Sequence, residues 1–346
     1  MTDMKVKVGI VGLGRLGYQH AENLAFRIPN CELTAVCSVV EEEVLEANER
    51  LKVPYGYTSY SEMLSNKELD AIFIASPSGY HSIQIQQALE AGFHVFSEKP
   101  LGLYLDEAKE VAEAVKNHPD QIFMLGFMRR YDESYARAKI LIEEGEIGDP
   151  ILIRAYGLDP TLQMDNFLKF AQANYSGGLF LDMAIHDLDL ARWYLGVEAK
   201  EVWAIGGSYT RPEFDDLGDA ETGTAMVRFE NNAMGIFVAG RNSVHGYHIE
   251  TEIIGTEGSL RIGTTPEQDQ VTIFNENGII NTCHDGFISR FKHAYLREVE
   301  EFINCILEER QPEVKVEDGV ESTRLAYACK ESFETGKLVK VDGIKS

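Results

Sequence analysis

The chain has 346 residues, of which 44% are hydrophobic and 25% charged. This composition is typical of a folded globular protein with about two domains, and it excludes a disordered or fibrous chain. The formal net charge of -24 argues against a nucleic-acid partner, because a polyanion meets repulsion over most of such a surface.

Short apolar runs and few cysteines exclude two further classes of protein. No apolar run approaches the roughly 20 residues that a membrane span needs, and the first residues show no signal-peptide pattern. We therefore expect a cytoplasmic protein with no membrane partner. The five cysteines contain no C-x-x-C pair, so we predict free thiols rather than disulfides or a structural zinc site.

The first part of the chain alternates short apolar runs with helix-like segments. The runs that predict strands are 6–11, 33–37, 71–75, 95–96 and 122–125, and the segments that predict helices include 41–51, 83–91 and 106–116. Such alternation predicts a doubly wound parallel sheet covered by helices on both faces. The pattern ends near residue 128.

The pattern changes after the turn-rich segment 145–150. Strands are predicted at 151–156, 202–209, 222–229, 234–239, 249–254 and 271–274. One helix is predicted at 179–195, and apolar residues at helical spacing predict two more within 291–306 and 320–328. Strands that follow one another with few helices between them predict an α+β domain with an open, mostly antiparallel sheet.

A glycine-rich turn separates the first predicted strand from the first predicted helix. Gly12 suits the tight turn, Gly14 lets the backbone approach a pyrophosphate, and Gly17 lets the helix pack closely on the strand. Backbone N–H groups and the helix dipole would then hold the phosphates. The predicted dinucleotide-binding turn comprises Gly12, Leu13, Gly14, Arg15, Leu16 and Gly17.

The end of the second predicted strand carries Ser38 where an Asp or Glu usually binds the ribose hydroxyls of NAD. Ser38 can hydrogen-bond either a ribose hydroxyl or a 2′-phosphate. No Arg follows to pair with the phosphate, and Glu41, Glu42 and Glu43 would repel it. These residues favour NAD and leave NADP open.

Four segments together carry a family resemblance. They are the run from Asp70 to Pro77, the run from His94 to Pro100 that ends in Glu-Lys-Pro, the segment 126–132, and the later Asp182-x-x-x-His186. They resemble the Gfo/Idh/MocA oxidoreductases, and within that family they are most similar to bacterial inositol 2-dehydrogenases. The likeness extends over nearly the whole chain, including 246–247 and 254–258.

The resemblance implies two domains and an oligomer. Residues 1–128 would form an NAD(P)-binding Rossmann domain, with 319–346 packing back onto it, and residues 129–318 a substrate-binding and oligomerisation domain. The implied assembly is a homo-oligomer, with a tetramer favoured over a dimer. The resemblance adds Ser76, Pro77, His81, Glu98 and Lys99 to the cofactor-binding residues.

Oxidation of a secondary alcohol needs a base for the hydroxyl proton beside the hydride path to the cofactor. His186 suits this role, and Asp182, four residues earlier on the predicted helix, can fix the imidazole tautomer. The resemblance places this pair beside Lys99, whose ammonium would stabilise a developing alkoxide. No metal is expected, because helical geometry directs Asp187 away from Asp182, His186 and Asp189.

A polyhydroxylated ring needs several fixed donors and acceptors, because a buried hydroxyl without a partner costs affinity. The resemblance implies substrate contacts from Lys99, Met128, Arg129, Asp159, Asp182, His186, Asp189 and Tyr247. Alternatively, Arg129 and Arg130 bind a carboxylate or phosphate, or pair with Asp132 or Glu133.

The resemblance implies NAD(P)-dependent oxidation of a cyclic polyol, with myo-inositol converted to 2-keto-myo-inositol (scyllo-inosose). Gly157 and Asp159 stand where some inositol dehydrogenases carry His and Asn, which leaves other inositol isomers and sugars, including phosphorylated ones, as alternatives. A nucleotide-sensing regulator of the same fold is a further alternative. The presence of Lys99, Asp182 and His186 favours an enzyme.

Overall fold

The structure is a computed structural model that describes residues 5–173, 176–263 and 267–344. The chain divides into two compact units. The first contains the described residues up to Met128 together with His293–Val320, and the second contains Arg129–Lys292 and the described residues from Glu321 onward. Residues 1–4, 174–175, 264–266 and 345–346 of the predicted domains lie outside the described residues.

The first unit contains a six-stranded sheet with the order β3-β2-β1-β4-β5-β6, in which all neighbouring strands are parallel. Its strands are β1 (Val6–Val11), β2 (Cys31–Cys37), β3 (Tyr55–Tyr57), β4 (Ala71–Ile74), β5 (His94–Glu98) and β6 (Phe123–Gly126). The predicted doubly wound sheet is confirmed. Strand β3 is short and carries no apolar run, so the sequence pattern did not predict it.

The second unit contains a seven-stranded sheet with the order β12-β11-β7-β10-β9-β8-β15, and β13 pairs with β14 in a separate hairpin. These strands are β7 (Pro150–Pro160), β8 (Ala199–Gly207), β9 (Thr222–Phe229), β10 (Met234–Ser243), β11 (His248–Gly255), β12 (Ser259–Ile262), β13 (Glu267–Asn275), β14 (Gly278–Cys283) and β15 (Val339–Lys340). Strands β7 and β10 pair in parallel, and the other pairs are antiparallel. The predicted mostly antiparallel sheet is confirmed.

The helices alternate with strands in the first unit and are fewer in the second. In chain order they are α1 (Arg15–Phe26), α2 (Glu41–Leu51), α3 (Tyr60–Leu64), α4 (His81–Glu90), α5 (Leu105–Asn117), α6 (Glu133–Glu143), α7 (Met164–Gln172), α8 (Ile185–Leu195), α9 (Glu213–Asp216), α10 (Phe287–Arg290), α11 (Lys292–Leu307) and α12 (Val316–Thr335). Short 3₁₀ turns occur at Ser78–Tyr80, Met128–Tyr131, Thr161–Gln163 and Val341–Gly343. None of the helices in the described ranges has the length and apolar character needed to cross a membrane.

The segment that returns to the first unit differs from the predicted 319–346. The structure groups His293–Val320 with the first unit. There the Phe302 ring packs edge-on against the Phe96 ring, with 5.7 Å between the ring centroids. Residues after Val320 belong to the second unit because they bond to its sheet. The Ala204 backbone N–H donates to Ser332 Oγ at 2.8 Å, and β15 pairs with β8 at the sheet edge.

The predicted single helix 179–195 is also corrected. Residues Phe180–Ala184 form a π-helical turn, and α8 begins only at Ile185. Gly177 and Gly178 precede this turn with φ of +70° and +93°, a backbone conformation that favours glycine. A π turn inserts an extra residue into a helix and is frequent at functional sites. It carries Asp182, so the α-helical spacing assumed between Asp182 and His186 does not apply.

Candidate active site

The glycine-rich turn has the geometry of a phosphate-binding loop. Gly12 has a φ of +93°, and a Cβ there would lie 2.5 Å from the backbone of Ala75. A Cβ on Gly17 would collide with the carbonyl oxygen of Gly12, whereas a Cβ on Gly14 would meet open space. Helix α1 begins at Arg15, and no described side chain caps it. Its first N–H groups, beside an open backbone at Gly14, therefore fit a pyrophosphate.

Ser38 is buried at the end of β2, and its hydroxyl donates to Glu43 Oε2 at 2.5 Å. The backbone N–H of Val40 donates in turn to Ser38 Oγ at 3.2 Å. A carboxylate thus stands beside Ser38, the residue predicted to bind the ribose, although it comes from the first turn of α2 rather than from the strand. The sequence pattern pointed to the three glutamates but did not single out Glu43. This carboxylate suits ribose hydroxyls and opposes a 2′-phosphate.

His81 connects the loop after β4 to the segment after β5. Its ring nitrogens lie 2.7 Å from the carbonyl oxygens of Ser76 and Pro100. The ring is buried, and burial lowers the pKa of His81. Ser76 Oγ donates to Gln84 Oε1 at 2.5 Å, and Lys99 is joined to Pro100 by a cis peptide bond. His81 therefore ties the loop after β4 to the backbone next to Lys99. Pro77 leads into the 3₁₀ turn that precedes α4.

Glu98 points into the interior of the first unit. Its Oε1 lies 2.8 Å from His20 Nε2, and Glu298 of α11 completes a buried group whose ligand-type atoms all lie within 4.8 Å of one another. Among the described residues, this group is the one whose atoms could surround a metal ion. Burial and the neighbouring Glu98 raise the pKa of Glu298 well above its usual range. Protonation of Glu298 therefore reduces the negative charge of this buried group without a cation.

The second unit contains most of the predicted substrate residues. Residues on the buried, helix-covered face of β7 and β10 alternate with outward-facing ones, and this alternation places Asp159 on the buried face. The π turn and α8 supply Asp182, His186 and Asp189, and Tyr247 precedes β11. Of these, His186, Asp189 and Tyr247 are buried. Lys99 and the buried Met128 belong to the first unit.

Arg129 and Arg130 form buried ion pairs with α8. Arg129 Nη1 donates to Asp187 through a short hydrogen bond, and its side chain also hydrogen-bonds Tyr247. Arg130 binds Asp189 through two bonds, from Nε at 2.9 Å and from Nη2 at 2.5 Å. Burial raises the pKa of Asp187, and Arg129 opposes that rise. Both guanidinium groups are therefore already paired with carboxylates, which leaves little net positive charge to attract an anionic substrate.

The alternative considered for Asp132 was an ion pair with Arg129 or Arg130, but the structure gives this carboxylate other partners. It caps α6 by accepting from the backbone N–H groups of Ser134 and Tyr135, and it pairs with Arg290 at 2.8 Å. Gly157 is explained by Asp187, because a Cβ at Gly157 would lie 2.9 Å from Asp187 Oδ2. The glycine thus makes room for the buried carboxylate.

The sequence did not point to two charged residues that lie near the predicted substrate residues. Asp187 was expected to point away from the site, yet it is buried against Arg129 and beside Gly157. Arg241 of β10 is fully buried, and its Nη1 lies 3.4 Å from Asp182 Oδ2. The sequence contained one signal for Arg241. If the strand predicted at 234–239 continues for two more residues, Arg241 lies on its apolar face.

Two family models match the chain over most of its length. One, an oxidoreductase family with an NAD-binding Rossmann fold, covers residues 6–127, and the other, the GFO/IDH/MocA C-terminal domain, covers residues 135–261. The chain belongs to the GFO/IDH/MocA oxidoreductase family. Its first unit is an NAD-binding Rossmann domain, and the chain is an NAD-dependent oxidoreductase.

Similar proteins match the chain from end to end. A scyllo-inositol 2-dehydrogenase (NAD(+)) of Bacillus subtilis is 35% identical over 98% of this chain and 97% of its own length. A myo-inositol 2-dehydrogenase of Thermotoga maritima is 33% identical over 98% of this chain and 99% of its own. The crystal structure of a scyllo-inositol dehydrogenase from Lactobacillus casei, with bound NAD(H) and scyllo-inositol, superposes with a TM-score of 0.95 at 47% identity, covering 98% of this chain and 100% of that chain.

Proposed function

We propose that this chain oxidises one ring hydroxyl of an inositol to a ketone with NAD as the cofactor. The observation that carries this proposal is the charge-balanced, polar set on the buried face of the second sheet. Arg129 and Arg130 are paired with Asp187 and Asp189, so the set suits a neutral polyol better than a phosphorylated sugar. The inositol dehydrogenases among the similar proteins support the same substrate class.

The proposed chemistry uses the residues predicted from the sequence. NAD, which the Gly12–Gly17 turn would hold, would supply the acceptor for the hydride of the carbinol carbon. His186 takes the hydroxyl proton, and the Asp182 carboxylate stabilises the imidazolium that forms. The Lys99 ammonium donates to the reacting oxygen and stabilises its developing negative charge. On the cofactor side, the turn from Gly12 to Gly17 would hold the pyrophosphate.

Two epimers are candidate substrates. The sequence resemblance predicts myo-inositol, which gives scyllo-inosose on oxidation at its single axial hydroxyl. The 47% identity to the scyllo-inositol dehydrogenase of Lactobacillus casei favours scyllo-inositol as a second candidate. Oxidation of scyllo-inositol at any carbon gives the same ketone, so the two candidates share a product and differ in the face from which hydride leaves.

The proposal is tested by the absorbance of reduced nicotinamide with NAD or NADP and a panel of compounds. The panel contains myo-inositol, scyllo-inositol, glucose, xylose and a phosphorylated sugar. Reduction of NAD by one of the two inositols is the expected result. Binding of NAD without oxidation of any inositol would instead favour a regulator or another substrate.

Variants test the assigned catalytic residues. Lys99→Ala and His186→Ala should each lower kcat by about 10²- to 10⁴-fold and leave NAD affinity nearly unchanged. Lys116→Ala and His293→Ala remove exposed residues of the same types and serve as matched controls. Unchanged turnover in both test variants would contradict the mechanism.

We also propose that the outer face of the second sheet joins copies of the chain into a homotetramer. Large apolar side chains are exposed there at alternate positions of β8, β9 and β10. They are Trp203, Ile205, Met226 and Met234, which are 40% to 53% exposed. A contiguous exposed apolar face on a sheet is typical of an association surface. Its charged neighbour Arg228 pairs with Glu201 and lies on the same face.

A further inference from the structure

Arg241 lies on the buried face of β10, and its side chain is completely enclosed. Phe237 and Ala239 share that face with it, as strand alternation requires. The pairing of β10 with β7 shifts register between Gly240 and Ser243, which places a bulge at Arg241. Bulges redirect side chains and are common beside active sites. The backbone therefore holds a charged side chain among apolar neighbours.

Three carboxylates act electrostatically on this guanidinium, and one of them is in contact with it. Nη1 lies 3.4 Å from Asp182 Oδ2. Burial lowers the pKa of Arg241, while Asp182, Asp219 and Asp159 oppose that effect. Asp182 and Asp159 are both residues of the proposed substrate site. The surrounding negative charge disfavours an anionic ligand at Arg241 and leaves a neutral hydrogen-bond acceptor as the suitable partner.

One edge of the guanidinium has no acceptor among the described residues. Nε and Nη2 of Arg241 are buried and have no hydrogen-bond partner in the parts of the chain that the structure describes. The Phe167 ring stacks on the guanidinium face, so the donors project from its edges. Arg130 uses the same Nε–Nη2 edge to bind two oxygens of Asp189. The equivalent edge of Arg241 is therefore suited to two neighbouring oxygen atoms.

We propose that Arg241 binds a vicinal diol of the substrate through Nε and Nη2 while Nη1 holds the Asp182 carboxylate in place. This inference rests on the proposed function and deepens it, because it identifies a residue that recognises two adjacent ring hydroxyls. A planar fork of donors matches two neighbouring oxygens, whereas the ammonium of a lysine does not. Arg241 thus links substrate recognition to the position of Asp182.

The test compares Arg241→Lys and Arg241→Met with the wild type on the oxidised inositol and on its mono-deoxy analogues. In the wild type, removal of a hydroxyl bound by Arg241 should lower kcat/KM by about 10- to 100-fold. Both variants should lose this discrimination at the one or two adjacent ring positions that Arg241 contacts and retain it at the others. KM for NAD should stay unchanged. Arg137→Met, at an exposed position of α6, is the matched control and should behave as the wild type.

A uniform loss of activity on the parent inositol and on every deoxy analogue would overturn the substrate role of Arg241. Failure of both variants to fold, judged by thermal unfolding and NAD binding, would also overturn it, because Arg241 would then serve the fold alone. A wild-type protein that oxidises no inositol would instead refute the proposed function on which the inference rests. The wild-type assay therefore separates the two failures.

Discussion

Glu298→Gln should make the protein more stable at neutral pH. The Glu298 side chain is fully buried in α11, and neither carboxyl oxygen has a hydrogen-bond partner among the described residues. Burial, and then the nearby Glu98 of β5, raise its pKa well above the usual range. His20 of α1 faces the same group and lies 2.8 Å from Glu98. Folding therefore keeps a proton on Glu298 that the unfolded chain releases above the ordinary pKa of a glutamate.

The size of the effect follows from proton linkage. A group whose pKa is raised in the folded state contributes its full stabilisation of the fold below its unfolded-state pKa. This contribution is lost as the pH rises toward the folded-state pKa. Each pH unit in this window costs about 1.4 kcal/mol of unfolding free energy. Glutamine keeps the shape of the protonated carboxyl and does not titrate. The advantage of Glu298→Gln should thus grow by about 1.4 kcal/mol per pH unit.

Urea unfolding followed by circular dichroism, from about pH 5 to about pH 8, measures this difference. Glu300→Gln, at an exposed position of the same helix, is the matched control and should show no growing difference. A difference that stays constant with pH would refute the reasoning. So would a Glu298→Gln variant that is less stable than the wild type at the higher pH, because Glu298 would then be ionised and held by His20 or by a cation.

Three further predictions concern the cofactor turn, cofactor choice and assembly. Gly17→Ala places a Cβ against the Gly12 carbonyl oxygen, so NAD affinity should fall at least about tenfold by fluorescence titration; unchanged affinity would contradict the tight turn. Glu43→Ala removes the carboxylate beside Ser38, so the NADP-to-NAD ratio of kcat/KM should rise at least about tenfold, and a constant ratio would assign discrimination elsewhere. Met226→Glu should lower the mass measured by light scattering; an unchanged mass would exclude this face from the interface.

The sequence alone determined the features that depend on neighbouring residues. Strand β1, the glycine turn and the start of α1 follow one another within twenty residues, and each is dictated by local backbone geometry and apolar periodicity. The bounds of β1, α2 and β9 match the predicted 6–11, 41–51 and 222–229. The family resemblance also pointed to Lys99, Asp182 and His186, whose catalytic roles remain predictions.

Only the tertiary structure decided which charges meet. Arg129 and Arg130 find their partners 58 and 59 residues away on α8, although acidic residues lie much closer along the chain. Periodicity shows which face of an element is buried, but it does not show what lies across from that face. The π turn that carries Asp182 and the buried edge of Arg241 that lacks a described acceptor were likewise not visible in the sequence pattern. These contacts set the electrostatics of the candidate site because a buried charge is stabilised by its nearest neighbours in space.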